Sequence, residues 1–167
     1  MFQKGKRSSP RFSLEEEFEQ KMVDLTRVTR VVAGGKRLRF RACIVVGDKK
    51  GKVGYGLGKG NDVATAMEKA TRVAKKNLIE VPIYNNTIPH EIIVKFKAAK
   101  IMLKPAAEGR GLRAGSVVRT ILSLSGIENV TAKILGAKSK INNTKATFLA
   151  LERLHQLKNR QKGVVGK

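Results

Sequence analysis

Tryptophan is missing from this chain, cysteine occurs once, tyrosine and histidine twice each, and proline four times in 167 residues. Each shortage closes a class of function. A single thiol, Cys43, excludes an internal disulfide and every multi-thiolate metal site. His90 and His155 stand too far apart in sequence to suggest a zinc site, so no metal is expected. Two tyrosines and six phenylalanines are too few for sequence reading of single strands by base stacking. Apolar runs such as residues 42–46 are strand-sized, far short of the roughly 18–20 residues that cross a bilayer. With no tryptophan to anchor a basic amphipathic helix, a membrane partner is not expected. The opening MFQKGKRSSPRF is basic but has no apolar core of a secretory signal, and a cytoplasmic location is the expectation.

Acidic side chains are scarce too. Thirteen Asp and Glu face 35 Lys and Arg, a formal net charge of +22. Self-repulsion on that scale weakens a compact state, so such a chain normally works against a polyanion. The excess is evenly spread: residues 1–80 carry 19 basic and 9 acidic side chains, and residues 81–167 carry 16 and 4. A basic tail on a neutral enzyme would be lopsided, so both halves are expected to meet the partner. Backbone and shape recognition of structured nucleic acid fits this composition. The carboxylates of the second half, Glu91, Glu108, Glu128 and Glu152, are widely spaced and offer no cluster for hydrolytic chemistry. Neither an enzyme activity nor a cofactor is expected, and a free-standing RNA-binding regulator is the remaining rival. At 41% hydrophobic residues there is enough apolar material for one or two small folded domains.

Residues 1–12 read as a basic arm. Ser13 and Glu16 form a capping box, and Glu15 to Glu17 suit a helix N-terminus, which predicts a short helix over about 14–22. A strand over 23–33 would end at the Gly34-Gly35 turn. Leu38, Phe40, Ala42, Ile44 and Val46 then alternate with Arg37, Arg39, Arg41, Cys43 and Val45, which is strand periodicity with one apolar face. On the other face the three arginines stand about 7 Å apart, a spacing that can follow a phosphate backbone. Cys43 reads as a small apolar filler. A turn at 47–51 leads to a third strand with Gly54, Gly56, Gly58 and Gly60 at alternate positions, a bare face that lets another backbone come close. This is no nucleotide loop: Lys59 stands where the dinucleotide pattern needs glycine, and Val53 and Gly60 break the Walker pattern. A helix capped by Asn61 or Asp62 runs to about residue 78, burying Val63, Ala66, Met67, Ala70, Val73 and Ala74. Lys69, Arg72 and Lys76 form a basic ridge on another side of it. This α-β-β-β-α layout is that of a double-stranded-RNA-binding domain.

Pro82 and residues 84–87 read as a seam. Beyond it, strands over 90–96 and 100–103 form a hairpin, with His90 structural or on the surface. A glycine-rich loop, 106–115, opens a helix over 116–125 that Gly126 stops. Arg110 and Arg113 flank the exposed amides of that helix start, a candidate anion or partner site. A strand over 130–135, a loop with Lys138 and Lys140, and a helix over 143–158 burying Phe148, Leu151 and Leu154 complete a β-β-α-β-α half. His155 on that helix reads as packing.

RVTRVVAGGKRLRFRACIVVGDKKGKVGYGLGKGNDVATAMEKA, KPAAEGRGLRAGSVVRTILSLSGIENVTAKILG and KATFLALERL, in unbroken order across residues 18–155, resemble the bacterial family of the fifth protein of the small ribosomal subunit. The resemblance implies an α+β protein of two domains. The first, over 18–81, would be like the double-stranded-RNA-binding fold, and the second, over 82–158, a sandwich with a left-handed crossover. An arm over 1–17 and a flexible basic tail over 159–167 flank them. It also implies a structural protein that binds small-subunit rRNA and steadies the head against the body. The fourth and eighth small-subunit proteins are implied as neighbours, with mRNA where it enters the subunit, and a homo-oligomer is not expected. The family's spectinomycin-linked hairpin loop matches residues 29–36. The loop that faces the fourth protein and bears on decoding accuracy matches residues 108–119. On these grounds rRNA contact is expected at Arg27, Arg30, Gly34, Gly35, Lys36, Arg37, Arg39, Arg41, Lys49, Lys50, Lys52, Lys59, Lys69, Arg72 and Lys76. Glu108, Gly109, Arg110, Gly111, Arg113, Gly115 and Arg119 are the expected protein-facing or anion loop. Where the family usually has EGTGIIAGG this chain has EGRGLRAGS, which brings two arginines into that segment.

Overall fold

The computed structural model describes the backbone of residues 18–164 and the side chains of residues 18–154. The expected arm, the Ser13 capping box, the His155 side chain and the last three residues of the expected tail lie outside what is described. Strands β1 (Glu19–Val32), β2 (Gly35–Gly47) and β3 (Lys52–Gly60) are followed by helix α1 (Val63–Lys76) and the short β4 (Leu78–Glu80). The second half comprises β5 (Ile92–Phe96), β6 (Ala99–Pro105), β7 (Leu112–Arg113), α2 (Ser116–Ser125), β8 (Val130–Ile134) and α3 (Lys140–Val164). The first sheet is antiparallel in the order β1-β2-β3-β4. The second runs β5-β6-β8-β7, antiparallel except for β7 beside β8, the parallel pair that α2 bridges.

The alternate glycines of β3 do what their spacing suggests. A Cβ at Gly54, Gly56, Gly58 or Gly60 would lie within 3.0 Å of backbone atoms of α1, at Ala74, Ala70, Ala66 and Ala66 respectively. Helix α1 therefore rests directly on the β3 backbone through Ala66, Ala70 and Ala74. All three are fully buried in one small core with Ala42, Ile44 and Val46. The buried stripe is narrower than expected: Val73 is exposed and Val63 and Met67 are half-buried.

The opposite face of β2 is buried as well. Val45 and Val53 join a single large core with Val117, Ile121 and Leu122 of α2, Leu151 and Leu154 of α3, and Ile101 and Leu103 of β6. The molecule is layered as α1, first sheet, the helix pair α2 and α3, then second sheet. The one apolar face expected of β2 is thus not how the strand is buried: residues 35–39 are exposed on both faces, and from Ala42 onward both faces are covered.

Three elements depart from expectation. Residues 19–22 are strand, not helix, because Glu19 to Met22 pair with Gly47 to Ile44 and so cover a β2 edge that would otherwise be open. Helix α1 stops at Lys76, and Leu78 turns back to pair with Gly54. The final helix begins at Lys140 and extends to Val164, beyond the expected 158. The seam is also tightly held. Asn85 and Asn86 take positive φ in a two-residue turn between the bridged Tyr84 and Thr87, a conformation asparagine tolerates. The Asn86 carbonyl accepts hydrogen bonds from the amides of Glu128 and Asn129.

Candidate nucleic-acid interface

Beyond an irregularity between Met22 and Asp24, strands β1 and β2 pair continuously to Val32 and Gly35, whereas β3 stops opposite Phe40. The hairpin tip, residues 28–39, therefore projects past the third strand. It closes through Ala33 and Gly34, with φ of +92° at Gly34 and +141° at Gly35, values that side chains resist. The tip is open to solvent, with Val31 73% and Leu38 47% exposed.

Register decides which cations share a face. Arg30 lies opposite Arg37, Val28 opposite Arg39, Thr26 opposite Arg41, and Arg41 opposite Lys59. The arginine ladder of β2 is thus joined by Arg30 on one side and Lys59 on the other. A groove of about 670 Å³ runs among Val28, Thr29, Arg30, Val32, Ala33, Arg37, Arg39 and Lys59. Like charges directly opposite destabilise a strand pair. Among the described residues, no carboxylate lies within ion-pair distance of Arg30, Arg37, Arg39 or Lys59. Such a face is electrostatically incomplete by itself.

Arg41 differs from its ladder neighbours. It is half-buried, its Nη2 lies 3.9 Å from Asp24, and its buried Nε has no protein partner. Asp24 also holds Lys140 at 3.3 Å. The sequence does not mark Asp24, since one acid in an alternating strand looks like any solvated residue. Cys43, the next residue along that face, is buried, and burial pushes its thiol pKa up.

The other expected contacts fall in different places. Arg27 and Lys36 lie opposite Phe40 and Val31, on the face turned away from the ladder. Lys69, Arg72 and Lys76 are exposed on α1, also beyond the far face of the sheet, and Arg72 is spanned by Glu68 at 3.3 Å. The turn bearing Lys49, Lys50 and Lys52 is drawn toward α2. The amides of Lys49 and Gly51 donate to the carbonyls of Leu124 and Ser125, each at 3.0 Å, and so cap the end of a helix in the other half. Gly47 and Gly126 permit this approach, since a Cβ on either would strike backbone across the junction. Lys49 Nζ also pairs with Glu19 at 2.5 Å, and Lys49 together with Lys21 holds the Glu19 carboxyl below its usual pKa. Lys50 is exposed and Lys52 half-buried.

In the second half, Glu108, Arg110, Arg113 and Arg119 are all exposed along one short stretch. It is less of a loop than expected, since Leu112 and Arg113 form β7. Gly109 and Gly111 take positive φ, and the Gly111 amide donates to Asn129 Oδ1 at 3.1 Å. Gly115 is the N-cap of α2 and accepts the Arg119 amide at 2.8 Å. His90 is half-buried, with Nε2 unpartnered. No described helix is long and apolar enough to cross a membrane. No three metal-ligating side chains cluster among the described residues.

Two family models match the chain. Residues 18–82 match the N-terminal domain of ribosomal protein S5, and residues 94–163 match its C-terminal domain.

Proposed function

Since the chain belongs to the ribosomal protein S5 family, a non-enzymatic, rRNA-binding structural component of the small ribosomal subunit, we propose that its hairpin face grips rRNA phosphates while its layered body fixes their geometry. The carrying observation is the incomplete face of Arg30, Arg37, Arg39 and Lys59 around one groove. Phosphates would neutralise the repulsion between Arg30 and Arg37 and between Arg41 and Lys59, and release counterions on doing so. The body suits a bridging role because its two halves share one core and are joined by backbone hydrogen bonds. A clamp that steadies the head of the subunit against its body must transmit force, and a loosely linked pair of domains would not.

The stretch from Glu108 to Arg119, with Glu108, Arg110, Arg113 and Arg119 exposed, is our proposed contact with the fourth small-subunit protein, through which the chain would influence translational accuracy. The eighth protein, and mRNA where it enters the subunit, complete the proposed neighbours. Support for the accuracy role is the stiffness of the segment's anchors, β7 against β8 and Gly111 against Asn129. The test is titration of the full chain and its Arg30→Ala/Arg37→Ala/Arg39→Ala variant against small-subunit rRNA over a range of salt. A shallower salt dependence in the variant supports the reading, and identical curves overturn it. For the accuracy role, Arg110→Ala/Arg113→Ala should alter stop-codon readthrough in cells, and unchanged readthrough would remove it.

A further inference from the structure

The outer face of the second sheet is a basic surface that the hairpin site does not use. Val94, Ile101, Leu103, Val130 and Ala132 point into the core beneath α2 and α3, so the alternate residues of these strands face outward. Register arranges them in rows: Lys95 opposite Lys100, Ile93 opposite Met102 and then Lys133, and Lys104 opposite Thr131, which pairs with Arg113. Lys95, Lys100, Lys104, Arg113 and Lys133 are all exposed. Among the described residues one acid answers them, Glu91, which pairs with Lys104 at 3.2 Å. Lys95 directly faces Lys100, a like-charge pair that costs stability unless an anion covers it. The middle row places two aliphatic residues, Ile93 at 49% exposed and Met102 half-buried, beside the exposed Lys133. Protein interfaces are rich in aromatic residues and depleted in lysine, and this face has the reverse composition.

We propose that this face binds a second run of RNA backbone, distinct from the run at the hairpin. The inference rests on the RNA reading above and extends it. The layer of α2 and α3 lies between the two sheets, so one short phosphate run cannot serve both, and the protein would tie two RNA segments together.

The test uses the full chain, small-subunit rRNA and two variants, Lys95→Gln/Lys100→Gln/Lys133→Gln and Arg37→Ala/Arg39→Ala. The lysine variant should lower the slope of log affinity against log salt by roughly two to three units, about one for each phosphate that is no longer neutralised. An unchanged slope for it, with a reduced slope for the arginine variant, overturns the second face and leaves the hairpin site intact. No change in either overturns the RNA reading itself. Normal rRNA binding by the lysine variant, with failure to recruit a neighbouring protein during subunit reconstitution, assigns the face to protein and also overturns the proposal. Should the lysine variant fold poorly, acetylation of the unaltered chain decides. Protection of Lys95, Lys100 and Lys133 by rRNA supports the second face, and equal labelling with and without rRNA refutes it.

Discussion

The ammonium of Lys140 lies 3.3 Å from a carboxylate oxygen of Asp24, joining the first residue of α3 to the strand at the base of the hairpin. A cation at a helix N-terminus opposes the helix dipole, so Lys140 is tolerable where a carboxylate answers it. The other oxygen of Asp24 faces Arg41 at 3.9 Å. One residue, 17% exposed, therefore couples the arginine ladder to the helix layer.

Replacing that carboxylate should loosen the junction. Asp24→Asn is expected to cost about 1 kcal/mol, because both cations retain some access to water. For a chain of this size the loss corresponds to a fall of roughly 2–4 °C in Tm. Thermal melts at low and high salt check it: the deficit should shrink as salt screens the pairs. A deficit that is absent at low salt would show that Asp24 holds nothing together.

Gly56→Ala tests the close seating of α1. The added methyl would meet the Ala70 carbonyl and the Ala74 amide, both backbone, which cannot rotate aside. A loss of about 3 kcal/mol is expected in urea denaturation. Gly109→Ala is the control, since the space around Gly109 is open and the penalty there arises from its φ of +79° alone. It should cost about 1–2 kcal/mol. Equal losses at the two positions would mean that backbone strain, not helix contact, explains the glycines of β3.

These glycines also show what a sequence makes legible. Alternation is a local property, so the bare face of β3, the arginine ladder of β2 and the α2 segment stopped by Gly126 could all be read from spacing. The family was legible because long segments matched in order. The start of β1 was not, since the capping signal at Ser13 and Glu16 is local whereas the pairing of Glu19 with Gly47 spans 28 positions of chain. For the same reason the partners of the ladder stayed hidden. Arg30 and Lys59 reach its face through cross-strand register, and Asp24 meets Lys140 through packing between the two halves. The inward turn of Lys49 was equally invisible, because its reason is the pair of carbonyls, Leu124 and Ser125, at the end of α2, some 75 residues further on.

Arg39→Ala separates charge from packing on the ladder. Arg39 is exposed and lies opposite Val28, with no acidic partner among the described residues. Folding should be unaffected within about 0.5 kcal/mol. The salt slope of rRNA binding should fall by about one unit. Arg41→Ala should behave differently, losing stability as well, because it removes one of the two cations that face Asp24 and leaves it with Lys140 and the Thr26 hydroxyl. If both variants lowered the slope with no change in stability, the half-buried setting of Arg41 would have no structural role.

Cys43 gives the pH-dependent test. Its side chain is 1% exposed, and burial raises its pKa because a thiolate there would lose its hydration. In the native protein a thiol reagent at pH 8 must wait for opening, so its reaction should slow by on the order of a thousandfold relative to the urea-unfolded chain. The stability effect has a definite sign. A group whose folded pKa is raised contributes fully below its unfolded value, about 8.5 for cysteine, and that contribution is lost as pH rises through the folded value. Denaturation of the native chain and of Cys43→Ala should therefore differ most near pH 7 and converge as pH approaches 10. Comparing the two chains cancels the lysines that titrate in the same range. A difference that stays constant from pH 7 to 10 would mean that the thiol ionises as readily in the folded protein as in the unfolded chain, and the sealed contact between β2 and the helix layer would have to be redrawn.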